Sequence, residues 1–178
     1  AAGITLLSET ERNPLYTTTY GVGEVIRDAI SRGCRHFIIG IGGSATNDGG
    51  IGMLQALGFD LLDQEGVPVR HGALGLKDLA VISDSHALPE LKECTFRIAC
   101  DVTNPLCGSQ GCSAVFGPQK GADPAMIQQM DQWLSSYVAL AGKSFPKTNP
   151  AHAGAGAAGG LGFAFLTFFH ATLESGVN

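Results

Sequence analysis

The chain has 178 residues, with 11 Lys+Arg against 16 Asp+Glu and a net charge of −5. That length suits one domain with a real core, and the acidic balance excludes the basic face that a nucleic-acid binder needs. With 44% hydrophobic and 15% charged residues the chain is not disordered, and its 25 glycines cluster without a collagen period, as in loops that approach a ligand closely.

Taken in order, the chain enters with a strand-like Ile4-Thr5-Leu6-Leu7. Apolar spacing at Val22, Val25, Ile26, Ala29 and Ile30 predicts a helix over 20–32, capped by threonines 17–19 and closed by Gly33. His36-Phe37-Ile38-Ile39 reads as a buried strand. A glycine-rich turn runs from Gly40 to Gly50 and leads into a short helix marked by Ile51, Leu54 and Leu57. Residues 59–62 read as a strand, with a turn at 63–66. Residues 79–82 and 95–100 read as further strands, the latter ending at Asp101. A long glycine-dotted loop follows, from Asn104 to Gly121. Asp123-Pro124 then signals a helix start, and eight apolar positions from Met126 to Ala141 mark one helical face that Gly142 ends. Met130, Trp133 and Tyr137 on that face are core. The segment Phe163–Ala171 reads as an apolar helix carrying His170. Helix–strand alternation predicts a layered α/β fold, its sheet substantially parallel or mixed and flanked by helices.

The cysteines, at 34, 94, 100, 107 and 112, are odd in number and sit partly in apolar runs, so reduced thiols are expected. No apolar run reaches transmembrane length, and the start lacks the basic-then-apolar pattern of a signal peptide. A cytoplasmic protein without membrane contact is the expectation.

The glycine-rich segments carry the chemistry. Gly40-Ile-Gly-Gly-Ser-Ala-Thr-Asn-Asp-Gly-Gly50 follows a strand and opens a helix, where an open α/β sheet binds ligands. There glycine N–H groups can reach an anion, and Ser44, Thr46 and Asn47 add side-chain donors. Asp48 reads as a helix cap, a metal ligand or a general base. No Walker A lysine is present, while Gly40, Gly42 and Ala45 fit a dinucleotide-binding pattern weakly, with Asp60 near the ribose-binding position. Asp101, at the end of a strand, reads as a magnesium ligand or base, or as an Asx turn. Lys120, between Gln119 and Gly121 ahead of a helix, is either solvated or placed to neutralise a phosphoryl group. Gly154-Ala-Gly-Ala-Ala-Gly-Gly-Leu-Gly162 reads equally as a ligand loop or a packing surface. None of the histidines pairs at metal spacing, and only His152 lies beside a glycine segment.

Taken together, 39–50, 99–106, 115–122 and 154–162, with Glu11-Arg12-Asn13-Pro14 and Thr18-Thr19-Tyr20-Gly21, resemble the bacterial glycerate kinase family, type I. The resemblance runs in order along the whole chain. It implies ATP-dependent phosphorylation of D-glycerate, commonly at the 2-hydroxyl to give 2-phosphoglycerate, with Mg²⁺. It also implies a two-lobed α/β enzyme with its active site between the lobes. Residues 1–178 are then a single α/β domain, the central lobe of a longer kinase. The stretch from about 150 to 178 is assigned to the second lobe as an alternative. On this reading Gly42, Gly43, Ser44, Thr46, Asn47, Asn104, Gln119, Gly154 and Gly156 bind phosphate or substrate. Asp48 or Asp101 takes the hydroxyl proton, Asp101 holds the metal, and Lys120 offsets anionic charge. A fragment of this kind is expected to lack activity alone, and homo-oligomerisation stays open. The alternatives are a nicotinamide-dependent oxidoreductase domain and a non-catalytic binding module.

Overall fold

The computed structural model describes residues 2–175. The first helix, α1 (Tyr20–Ser31), begins at Thr19 and turns out through Gly33 at φ +91°. It buries Gly23, Ile26 and Ile30, and leaves Val25 63% exposed although Val25 belongs to the apolar period. The strand β1 (His36–Gly40) follows, then α2 (Ile51–Ala56), in which Ile51, Met53 and Leu54 are fully buried. Gly23 of α1 is pressed against the Met53 backbone, where a Cβ would not fit, so the two helices pack at backbone distance.

A two-stranded antiparallel ribbon joins β2 (Asp60–Leu62) to β3 (Val81–Ser83), with α3 (Ala73–Asp78) between them. The strand β4 (Thr95–Ala99) pairs parallel with β1, Phe37 opposite Phe96 and Ile39 opposite Ile98. Beyond it lie α4 (Cys112–Phe116) and α5 (Pro124–Ala141), the latter capped by Asp123 accepting from Met126 N at 2.8 Å. Then come α6 (Ala157–Phe168) and β5 (Ala171–Glu174), which pairs parallel with β4. The main sheet is therefore all-parallel in the order β1-β4-β5.

Period-2 alternation decides which face of this sheet is core. Phe96 and Ile98 are buried, with Phe37 and Ile39 packed beside them, and Phe96 meets Phe165 and Phe169 at ring distances of 5.5 and 5.3 Å. The other face carries the His36–Thr95 hydrogen bond (2.8 Å) and the Arg97–Glu174 ion pair (2.6 Å), with Ile38 78% exposed among them. Met130 and Tyr137 are buried in the core, and Trp133 is half-buried. All five cysteines are free thiols.

Several expectations need correction. Residues 4–6 form a 3₁₀ turn instead of a strand, with Leu6 68% exposed; the local pairing is a bridge from Gly3 to Ser44. The helix α4 interrupts the loop expected from Asn104 to Gly121, and α3 occupies a stretch to which the sequence reading gives no element. The final apolar segment stops being helical after Phe168, so His170 lies between α6 and β5.

Candidate functional site

The site lies at the carboxyl ends of β1 and β4, the position where parallel sheets present loops to ligands. A cleft of about 160 Å³ is lined there by Gly42, Gly43 and Ser44 from the loop after β1 and by Cys100, Asp101 and Val102 from the loop after β4. Gln119 and Lys120 close one side, and Ala157 and Ala158 at the start of α6 close another. A larger, mostly apolar groove of about 440 Å³ runs along α1 and the free edge of β1 and shares Ile41, Gly42, Ser44 and Ala158 with the cleft.

The loop after β1 divides into two parts. Gly42 and Gly43 are exposed and Ser44 is half-buried; from Ala45 to Gly50 every residue is buried. The N–H groups of Gly42, Gly43 and Ser44 donate to no acceptor among the described residues. Gly43 sits at φ +65°, a conformation costly for other L-residues. Three successive N–H groups without acceptors form the kind of concavity that takes an anion.

Lys120 is the charged partner of this loop. It is 2% exposed, and its Nζ donates to Ser44 Oγ at 3.1 Å and to the Thr46 carbonyl at 2.6 Å. No carboxylate lies within ion-pair distance of it among the described residues. Burial lowers its pKa to about 8, against smaller opposing pulls from Cys112 and Asp48. Burial also pushes the Cys112 thiol up to about 12, so it stays protonated. The loop thus holds a cation that is only solvated by neutral oxygens.

Asp48 does not line the cleft. It is fully buried, and its Oδ2 accepts from Thr19 N (2.8 Å), Thr19 Oγ1 (2.9 Å) and Thr18 Oγ1 (3.4 Å), while Oδ1 accepts from Gly50 N (3.0 Å). It therefore caps α1 from a distant segment and closes its own turn. Burial raises its pKa, and the Thr19 and Gly50 hydrogen bonds oppose that rise. Thr46 and Asn47 are buried in the same layer, Asn47 Nδ2 donating to Ser113 Oγ at 2.8 Å. Both lie beneath the cleft and not on its wall.

Asn104 is also outside the cleft: its Nδ2 donates to the Gln110 carbonyl at 2.9 Å and its own carbonyl accepts from Gly156 N at 3.0 Å. Gly154 and Gly156 are wedges, the first against Cys100 and Leu173, the second against Pro105. The glycine segment from 154 is thus largely a packing surface, with Gly159 O accepting from Gly49 N at 2.9 Å. Ala158, at φ +51°, is the sole non-glycine residue with positive φ among those described, and it forms part of the cleft wall. Such strain of roughly 1–2 kcal/mol persists where surroundings over-determine it.

Asp101 is exposed and lines the cleft; its Oδ1 accepts from Ser175 Oγ at 3.2 Å. No group of three or more metal-ligating side chains occurs among the described residues. One cleft carboxylate fits a magnesium ion carried mainly by substrate phosphates, which needs only one or two protein ligands. Asp60, the candidate ribose acid, lies instead in the separate β2–β3 ribbon, bonded to His86 Nδ1 at 2.6 Å. The contacts that set this loop escape sequence reasoning: Thr19 to Asp48 and Ser113 to Asn47 join segments distant in sequence, and the positive φ of Ala158 shows only in the fold.

N–H groups without acceptors among the described residues, a buried lysine and a strand-end aspartate thus meet at one cleft of a parallel α/β fold. The glycerate kinase family profile matches residues 1–178, and the chain belongs to that family. It is 49% identical over 177 residues to the glycerate 2-kinase of Escherichia coli, covering 99% of this chain and 46% of that protein. It is 47% identical over 177 residues to the glycerate kinase of Haemophilus influenzae, covering 99% and 47%. A crystal structure provisionally assigned as glycerate kinase 2 from Salmonella typhimurium LT2 superposes with a TM-score of 0.96 at 49% identity, covering 99% of this chain and 47% of that one. The chain spans about half the length of these relatives. No helix among the described residues is long and apolar enough to cross a membrane.

Proposed function

We propose that this chain supplies the anion-binding half of an ATP-dependent D-glycerate kinase that forms 2-phosphoglycerate in the cytoplasm. The observation that carries the reading is the set of N–H groups on Gly42, Gly43 and Ser44, without acceptors among the described residues, beside a buried lysine that has no carboxylate partner among them. Phosphoryl transfer needs little from a protein beyond positioning and charge neutralisation, and this cleft offers both.

In this mechanism the Gly42–Ser44 loop and Lys120 hold the oxyanion of a phosphate or of the glycerate carboxylate. Gln119, on the cleft wall, adds an amide within the same enclosure. Asp101 accepts the proton of the attacking 2-hydroxyl as its oxygen bonds to the γ-phosphorus and the bond to the β,γ-bridging oxygen breaks. Asp101 is also the residue that would hold Mg²⁺, whose role is to neutralise phosphate charge. Asp48 acts through the fold, fixing α1 and α2 under the loop, and is assigned no chemical role. Asn104, Gly154 and Gly156 likewise hold the loops in place.

The antiparallel placement of Asp60 removes the support for a nicotinamide site. The test is to graft this chain into the Escherichia coli glycerate 2-kinase in place of its matching segment and to follow glycerate-dependent ADP release. Asp101→Asn should lower kcat more than about tenfold, over ~1.4 kcal/mol. Near-normal turnover would exclude Asp101 from the chemistry.

A further inference from the structure

Arg12 is half-buried, its Nε is shielded from solvent, and it has no acceptor or ion-pair partner among the described residues. A shielded guanidinium Nε–H without an acceptor is unusual, because that donor loses water and gains nothing. The neighbouring acid is engaged elsewhere: Glu11 Oε2 accepts from Ser8 Oγ at 2.6 Å and from Ser8 N at 3.0 Å. In a chain with a net charge of −5, the missing counterion is notable.

Arg12 does not line the cleft, but its backbone supports the turn that carries a cleft residue. Its carbonyl and Cβ lie against Gly121, the residue after Lys120, which is at φ +90° and has no room for a Cβ. The turn that carries Lys120 is therefore built on the Arg12 backbone. The same N-terminal segment is hooked to the loop after β1 by Thr17 Oγ1, which donates to the Ala45 carbonyl at 2.8 Å.

We propose that Arg12 is a further anion-binding residue of this site, its half-buried guanidinium, carried by the segment whose backbone packs against the Lys120–Gly121 turn, taking a planar oxyanion of the ligand. The inference rests on the kinase reading above. A guanidinium engages carboxylate or phosphate with two parallel hydrogen bonds, which an ammonium cannot reproduce. The oxyanion is either the carboxylate of the hydroxy acid or a phosphate of the nucleotide, and the two are separable by titration.

The experiment is calorimetric titration of the chain with D-glycerate, with MgATP and with inorganic phosphate, for the parent, Arg12→Lys and Arg12→Ala, alongside melting curves. Arg12→Lys keeps the aliphatic stem and the charge. It should weaken one of D-glycerate and MgATP by about tenfold or more while leaving the other within about twofold, with an unchanged Tm. Loss for D-glycerate alone identifies the carboxylate, and loss for MgATP and phosphate together identifies the nucleotide. Arg12→Ala should regain affinity on addition of methylguanidinium, a rescue that a structural role does not permit. Unchanged affinities in Arg12→Lys, or uniform losses that follow Tm without rescue, would overturn the assignment of Arg12. A parent chain that binds none of the three would overturn the reading beneath it.

Discussion

Replacing Lys120 with methionine separates stability from function in a calculable way. An ordinary lysine titrates near 10.5 and this one near 8, a difference equivalent to about 3 kcal/mol of cost for keeping the charge in the fold. The offset is the Thr46 carbonyl, which accepts from Nζ at 2.6 Å and would lose its donor, about 1–3 kcal/mol for a buried acceptor. Lys120→Met should therefore leave the chain as stable at pH 7 as the parent, or more stable by up to about 2 kcal/mol. The same substitution removes the cation of the cleft, and anion affinity should fall by about a hundredfold or more, since charge-assisted hydrogen bonds are roughly twice as strong as neutral ones. Urea unfolding gives the first quantity and calorimetric titration the second. A variant that is destabilised by several kcal/mol yet binds anions like the parent would refute the reasoning, because Lys120 would then be a structural tie.

Three more expectations follow from the same geometry. Below about pH 8 folded Lys120 is charged; above it the folded chain gives up a proton that the unfolded chain keeps until 10.5. Affinity for a non-titrating carboxylate should accordingly fall as pH rises past about 8, and the stability of the parent relative to Lys120→Met should climb between about 8 and 10.5; flat profiles in both would contradict the burial argument. Asp48→Asn turns an amide N–H₂ toward donors at Thr19 and Gly50 and should cost about 2–4 kcal/mol in urea unfolding; a neutral outcome would show that the cap is dispensable. Gly159→Ala forces a Cβ against the Thr46 carbonyl at a φ of +65° and should destabilise by about 3 kcal/mol or more while weakening anion binding through Thr46 and Lys120. Wild-type stability there would mean that the loop can shift freely.

The parts of the fold that sequence reveals are those with strong, unbroken patterns. The helix α5 shows its cap, its first-turn proline, its face and its end. The strands β1 and β4 are apolar runs that stop at ligand loops. By contrast α3 and α4 are too short to show a period, and their helical state comes from packing. The change from α6 to β5 lies inside one apolar run, where nothing local marks the boundary.

The site divides along a similar line. Gly42, Gly43, Ser44, Asp101, Gln119 and Lys120, from three separate motifs, line one cleft. Thr46, Asn47 and Asp48 belong to the same glycine-rich segment, yet the chain dives into the core at Ala45 and takes them away from the ligand. A polar loop residue can face a ligand or bond a neighbouring backbone, and the choice depends on Thr19 and Ser113, which are distant in sequence. Asn104, Gly154 and Gly156 have the composition of a ligand loop but serve close approach between backbones. Arg12 stands in a motif that carries the family resemblance, but that its Nε finds no acceptor among the described residues is visible only in the fold.

The central claim is that the loop of Gly42–Ser44 and Lys120 form a preassembled anion site. Its most direct test is isothermal titration of this chain at pH 7 with D-glycerate and, separately, with MgATP. The account predicts saturable binding of at least one at micromolar to millimolar strength, abolished by Lys120→Met and weakened by Ser44→Ala. Binding that survives Lys120→Met unchanged, or no heat from either ligand in the parent chain, would contradict it.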